Sequence, residues 1–234
     1  MFQFKQFSVD QSGCAMKINT DGVLLGAFAG ADDPVKILDI GTGTGVIALM
    51  LAQKFIDAKI DAVEIDENAA QTAAVNFKNS PFADRMTLYP SSFARFFDQF
   101  PKRKYDLIVS NPPFYINSLK SPGAKKTLAK HSDNDFFARL IKDVSSHLSP
   151  AGYCWLILPV MLIELVCTFA KERFLYPQNI INVQSYESSL PHRTIMCFGF
   201  NKVSPETTKL TIYKAVGIYT DEYNKLLKPY FIAF

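Results

Sequence analysis

No stretch of the 234 residues approaches the roughly 18–20 consecutive apolar positions that a membrane-crossing helix requires. The most apolar run, residues 153–163, contains Pro159 and ends at Glu164, so it reads as a buried strand entering a turn. The beginning, Met1-Phe2-Gln3-Phe4-Lys5-Gln6-Phe7, alternates apolar and polar side chains and lacks the continuous apolar core of a signal peptide. The chain is therefore expected to be cytoplasmic. There is no Cys-x-x-Cys pair, and Cys14, Cys154, Cys167 and Cys197 have no histidine at metal-ligand spacing. That pattern excludes a zinc site and a disulfide framework, so reduced, mainly buried thiols and no metal are expected. Excess charge is also missing: 25 basic against 22 acidic residues leave +3, too little to mark a nucleic-acid binder. Without repeats, low-complexity tracts or linkers, a single domain over residues 1–234 is expected, with 1–34 as an irregular extension, and the protein is expected to be monomeric.

What is present is an ordinary globular composition, 48% hydrophobic and 20% charged. From about Val35, short apolar runs alternate with helical patterns. Strands are expected at 36–40, 59–65, 86–89, 105–110 and 153–158. Helices are expected at 46–55, at 67–78, from Asp133 or Asn134 along the stripe Phe137, Leu140, Ile141, Val144 and Leu148, and at 161–173. Runs at 179–185 and 193–201 are separated by too little chain for a crossover helix, so they form an antiparallel pair. The expected fold is α/β, a seven-stranded, mostly parallel sheet covered by helices, with an antiparallel C-terminal strand pair. The sequence Phe2, Phe4 and Phe7 is expected to cover a sheet edge.

Between the first core strand and helix lies Asp39-Ile40-Gly41-Thr42-Gly43-Thr44-Gly45. Glycines there let the backbone turn sharply and approach a ligand at the carboxyl end of the strands. The dinucleotide fingerprint would need another glycine at position 46, which is Val46. The spacing resembles instead the first motif of Rossmann-like class I methyltransferases, which implies S-adenosylmethionine held by Asp39, Gly41, Thr42, Gly43 and Gly45. Glu64 ends the second core strand, where its carboxylate can accept from both ribose hydroxyls, with Ile65 against the adenine of the cofactor. Asp66 is better explained as a helix cap.

Asn111-Pro112-Pro113-Phe114 follows the fourth core strand. Two prolines fix an extended path and donate no backbone hydrogen bond. The nitrogen of a planar amine is a poor nucleophile because its lone pair is delocalised. If its N–H groups donate to the Asn111 side-chain oxygen and the Pro112 carbonyl, the nitrogen is drawn toward tetrahedral geometry and its lone pair becomes available. Pro113 holds the path, Phe114 stacks on the base, and Asn111 also borders the cofactor. This chemistry serves N6-adenine, N4-cytosine, N2-guanine and protein-glutamine acceptors alike, and the motif alone does not separate them.

The flanking sequence narrows the choice. Phe4-Lys5-Gln6-Phe7-Ser8-Val9, residues 15–27 (Ala15-Met16-Lys17-Ile18-Asn19-Thr20-Asp21-Gly22 onward), Ala129-Lys130-His131, and residues 218–228 from Ile218-Tyr219-Thr220-Asp221 resemble the bacterial methyltransferases that modify N6 of the adenine beside the anticodon of valine tRNA. The resemblance spans nearly the whole chain. It implies a tRNA adenine-N6 methyltransferase acting at anticodon-loop position 37, with Lys17, Thr20, Asp21 and Gly22 near the cofactor and Ser92 and Phe93 among its contacts. The sequence departs from the family at Ser91, where an Asp commonly meets the cofactor's adenine amine. An N2-guanine rRNA methyltransferase and a non-catalytic RNA-binding protein share the motif or fold; a glutamine methyltransferase usually carries an extra N-terminal helical domain, for which residues 1–34 are too short.

Lys120, Lys125, Lys126 and Lys130 follow the motif with no acidic residue among them, so they are candidate phosphate contacts, with His131 and Arg193 as further RNA contacts. Lys102-Arg103-Lys104 reads equally as a phosphate contact or plain surface.

Overall fold

The computed structural model describes residues 1–113 and 124–233, with the helical backbone alone for 124–133. Two short antiparallel strands, β1 (Phe2–Gln3) and β2 (Ser8–Val9), precede helix α1 (Thr20–Phe28). The expectation of an irregular extension is corrected here. Asn19 caps α1 by accepting from the Gly22 amide at 2.9 Å, and residues 22–27 are buried on every side, which removes the polar face that would have announced a helix.

The chain continues through β3 (Lys36–Ile40), α2 (Val46–Lys54), β4 (Lys59–Glu64), α3 (Glu67–Lys78), β5 (Met86–Pro90), α4 (Phe93–Gln99) and β6 (Tyr105–Ser110). Next come α5 (Ala124–His147), β7 (Leu148–Pro159), α6 (Ile163–Glu172), β8 (Tyr176–Gln184), β9 (Arg193–Gly199) and β10 (Glu206–Thr211). A small hairpin of β11 (Tyr213–Ala215) and β12 (Ile218–Tyr219) leads into α7 (Asp221–Leu227). The main sheet has the order β10-β8-β9-β7-β6-β3-β4-β5, eight strands rather than the seven expected. The additional strand, β10, pairs parallel with β8 at the edge, while β9 runs antiparallel to both β7 and β8.

Each central strand is apolar on both faces, as burial between two helical layers demands. Along β7, Trp155 and Ile157 join the core under α1 and α2, whereas Cys154, Leu156 and Leu158 join the core under α5 and α6. Phe4 and Phe7 are buried in the first of these cores, stacked at 4.5 Å, rather than laid over a sheet edge. Phe4 bridges Phe231, and the Lys5 amide donates to the Tyr230 carbonyl at 2.8 Å, so the two ends of the chain close on each other. Among the described residues, no helix is long and apolar enough to cross a membrane.

The order explains where a ligand can enter. From β3 the chain steps outward through β4 to β5, then returns to β6 on the other side of β3. The carboxyl ends of β3 and β6 therefore flank a switch point, the place where open α/β sheets bind ligands. Lys102, Arg103 and Lys104 precede β6 and so lie at the opposite end of the sheet. Arg103 pairs with Asp61 at 3.0 Å and lies 3.8 Å over the Phe100 ring, and Lys104 donates to the Ser146 carbonyl. This cluster braces the fold away from the switch point.

Candidate active site

A cavity of about 400 Å³ opens at that switch point, a volume within the range of small-ligand pockets. Its walls are Gly41 and Gly43 after β3, Glu64 and Ile65 at the end of β4, Ser91, Ser92 and Phe93 after β5, and Asn111, Pro112 and Pro113 after β6. Four loops from four adjacent strands thus converge on one space.

The glycine turn is held from several sides. The Gly41 and Thr42 amides donate to the Val63 carbonyl at 2.8 and 3.1 Å. The Gly43 amide donates to Glu64 Oε2 at 2.8 Å, while Glu64 Oε1 accepts from the Asp66 amide at 2.9 Å. The Glu64 carboxylate, 8% exposed, borders the cavity and keeps acceptor capacity beyond these two bonds. Asp66 caps α3 by accepting from the Ala69 amide at 2.8 Å. Gly43 has φ of 57°, and a Cβ there would meet no atom of the described residues within 4 Å; it would stand in open space at the cavity wall. Gly45 has φ of 83°, but its Cβ would strike the Phe77 ring at 2.5 Å. Gly43 therefore keeps ligand space clear, whereas Gly45 lets α2 approach α3.

Asp39 is fully buried beneath this turn and does not line the cavity. Its Oδ2 accepts from the Thr42 hydroxyl at 2.6 Å, and Oδ1 has no partner among the described residues. Burial pushes its carboxyl up to about 7, against the lowering effect of the Thr42 hydrogen bond. Its place is that of a brace for the turn.

Lys17, Gly22 and Thr42 share a crevice of about 50 Å³ with Gly41, Gly43 and Asn111, so the start of α1 comes close to Asn111. Thr20 and Asp21 line neither space. Asp21 instead accepts from Arg193 Nε at 2.7 Å, so a residue assigned to the cofactor and one assigned to RNA are partners of each other. That pair ties the start of β9 to the start of α1. Ser92 caps α4 as well as lining the cavity, and Phe93 stands edge-on to Phe136 at 5.5 Å. The Ser91 amide donates to the Glu64 carbonyl at 2.8 Å and its hydroxyl to the Ser92 carbonyl at 3.2 Å. Phe114 and Lys120 lie outside the described residues. Lys125, Lys126, Lys130 and His131 lie on the first turns of α5, whose side chains are outside them.

Sequence reasoning missed Cys14, Ala15, Met16 and Phe136, all of which line the cavity. Phe136 was detectable, because it is a large aromatic that falls off the apolar stripe beginning at Phe137. Ala15 and Met16 stand at the start of the stretch that resembles the family, whereas Cys14 carries no signal of its own.

Comparison with known proteins follows the same lines. Residues 19–162 match the family model described as "Methyltransferase small domain". The chain is 48% identical over 233 residues to a protein of Pedobacter heparinus named tRNA1(Val) (adenine(37)-N6)-methyltransferase, covering 100% of this chain and 98% of that one. It is 43% identical to a Flavobacterium psychrophilum protein of the same name, covering 99% of each. Among solved structures, a predicted O-methyltransferase from Agrobacterium tumefaciens, Atu636, superposes with a TM-score of 0.70 at 16% identity, covering 90% of this chain and 96% of that one. TrmN from Thermus thermophilus superposes with a TM-score of 0.56 at 17% identity, covering 76% of this chain and 47% of that one.

Proposed function

We propose that this chain, which belongs to the tRNA1(Val) (adenine(37)-N6)-methyltransferase family, methylates N6 of an adenine in tRNA, at position 37 of the anticodon loop. The observation that carries the reading is the meeting of Asn111, Pro112 and Pro113 with Gly41, Gly43 and Glu64 around one cavity.

When bound, S-adenosylmethionine supplies an electrophilic methyl group on a sulfonium sulfur. The residues fit such a group: the space beside Gly43 admits a ligand close to the backbone, and the Glu64 carboxylate can accept from ribose hydroxyls while holding the Gly43 and Asp66 amides. Ile65 is 73% exposed at the cavity wall and offers an apolar face to an adenine ring. Ser91 replaces the family's carboxylate, so the adenine amine is left to weaker hydroxyl or backbone acceptors.

On the substrate side, the Asn111 side-chain oxygen and the Pro112 carbonyl accept the two N6–H groups of the target adenine. This draws the nitrogen out of the ring plane and frees its lone pair along the remaining direction. Rate enhancement then comes from orientation and fixed dipoles, with no covalent intermediate on the protein. After transfer the nitrogen releases a proton to solvent, so no strong base is required beside it. Phe114 stacks on the extruded base, and Lys120, Lys125, Lys126, Lys130 and His131 follow the motif directly in the chain, where they would meet RNA phosphates. The partner is tRNA, no metal is called on, and the enzyme acts as a cytoplasmic monomer.

A methyl-acceptor assay with separated RNA fractions tests this. Label from the methyl donor is expected in tRNA. Incorporation into rRNA, or into protein, with none in tRNA would overturn the proposal.

A further inference from the structure

Helix α3 carries one polar residue inside its buried stripe. Asn76 is 3% exposed and lies beside Ala73 and Phe77. An amide in such a position must satisfy its hydrogen bonds within the protein, and three are formed. Oδ1 accepts from the Asp10 amide at 2.8 Å, and Nδ2 donates to the Asp10 carbonyl and to the Thr44 carbonyl, both at 2.9 Å. One turn earlier on the same face, the Thr72 hydroxyl donates to the Ser12 carbonyl at 2.7 Å.

The two ends of this bridge belong to two walls of one cavity. Asp10 opens a strap over residues 10–19 that is closed on itself by the Ile18 amide donating to Gln11 Oε1 at 2.8 Å, and that presents Cys14, Ala15 and Met16 to the cavity. Thr44 sits between Gly43, which lines the cavity, and Gly45, which immediately precedes α2. A purely structural residue in the stripe would be served by Leu or Ala, whose burial leaves no polar group to satisfy. The amide commits both of its N–H groups and its oxygen to joining strap to turn.

We propose that Asn76 is a positioning residue for the cofactor: it fixes the strap against the glycine turn and so sets the fit of the cavity around a nucleoside-bearing ligand. The inference rests on the reading that this cavity takes S-adenosylmethionine. Losing two or three hydrogen bonds, part of whose worth is felt at the cavity, predicts binding weaker by about 10- to 100-fold.

The test uses the full chain and S-adenosylhomocysteine as the probe, with binding by calorimetry and backbone hydrogen exchange in its absence. Asn76→Ala is expected to raise the Kd about 10- to 100-fold, and to raise KM for the methyl donor while kcat at saturation stays within about threefold of wild type. Exchange should accelerate at residues 10–18 and 43–45 and remain unchanged in β3, β4 and β6. Asn76→Asp keeps the acceptor for the Asp10 amide but sets an oxygen against two carbonyls, so it should be no better than alanine. A folded Asn76→Ala protein with wild-type binding, or with wild-type exchange in the strap, overturns the inference. Should that variant not fold, Thr72→Val decides on the same terms: faster strap exchange with weaker binding supports it, and wild-type values for both overturn it. Failure of the wild-type protein to bind the probe would overturn the cofactor reading as well, whereas wild-type binding with unaffected variants overturns the Asn76 inference alone.

Discussion

Replacing Gly45 and Gly43 by alanine, separately, should damage the protein in two different ways, although the residues stand two apart in the same turn. At Gly45, alanine must adopt φ of 83°, which costs about 1–2 kcal/mol for an L-residue. Its methyl also lies 2.5 Å from Phe77 Cε1 and 3.1 Å from Cζ, an overlap that a packed core relieves at about 1–3 kcal/mol. The sum is about 2–5 kcal/mol, or a fall in Tm of about 4–20 °C for a chain of this size. At Gly43, φ of 57° costs the same first amount, but the methyl meets no atom of the described residues. The Tm loss there is about 2–8 °C, and the methyl occupies ligand space, so S-adenosylhomocysteine binding should weaken more than about 100-fold. Gly45→Ala, once folded, should bind it far better than Gly43→Ala does. Calorimetric melting and isothermal titration on the two variants measure both quantities. Equal Tm losses, or near wild-type binding by Gly43→Ala, would refute the division of roles.

Three further outcomes are expected. Asn111→Ala should lower kcat/KM for tRNA methylation by about 100- to 1,000-fold while leaving the melting temperature within about 2 °C of wild type; a loss below tenfold would contradict its role. The Asp39 carboxyl, held at about 7 by burial against an ordinary 3.8, keeps its proton in the folded state over a pH range where the unfolded chain has lost it. Stability should therefore fall as pH rises from about 4 to 7, by an amount on the order of 4 kcal/mol, and level off above. Asp39→Asn should remove that slope, and parallel urea-unfolding curves for the two proteins across this range would count against it. A double-mutant cycle on Asp21 and Arg193, partly buried at 18% and 29% side-chain exposure, should return a coupling of about 0.5–1 kcal/mol by chemical denaturation; additive single losses would contradict the pairing.

The parts of this structure legible in the sequence are those with periodic contrast. The runs at 36–40 and 105–110 coincide with β3 and β6, and the helix at 67–78 coincides with α3, because apolar spacing and the Asp66 cap declare them. Helix α5 begins at Ala124, well before Asp133, because its first turns are lysine-rich and show no apolar stripe. Strand β7 begins at Leu148 although Pro150 and Gly152 read as a stop; the sheet accepts them where the register between β6 and β7 shifts. Strand β10 escaped notice because Glu206, Thr207, Thr208 and Lys209 are exposed at the sheet edge and carry no buried alternation. At the site, the residues on strand ends were readable from motif chemistry. The Asp21–Arg193 pair and the Asn76 bridge join segments far apart in the chain, and local pattern holds no record of such meetings.

The central claim is that Asn111 and Pro112 prepare an adenine amine for methylation beside a cofactor held by the Gly41–Gly43 turn and Glu64. The most direct measurement is to incubate tRNA with labelled methyl donor and either wild-type or Asn111→Ala protein, digest the RNA, and map the labelled nucleoside by mass spectrometry. The account predicts N6-methyladenosine at one anticodon-loop position with the wild-type protein and none with the variant. Label in 2-methylguanosine, or equal N6-methyladenosine from both proteins, would contradict it.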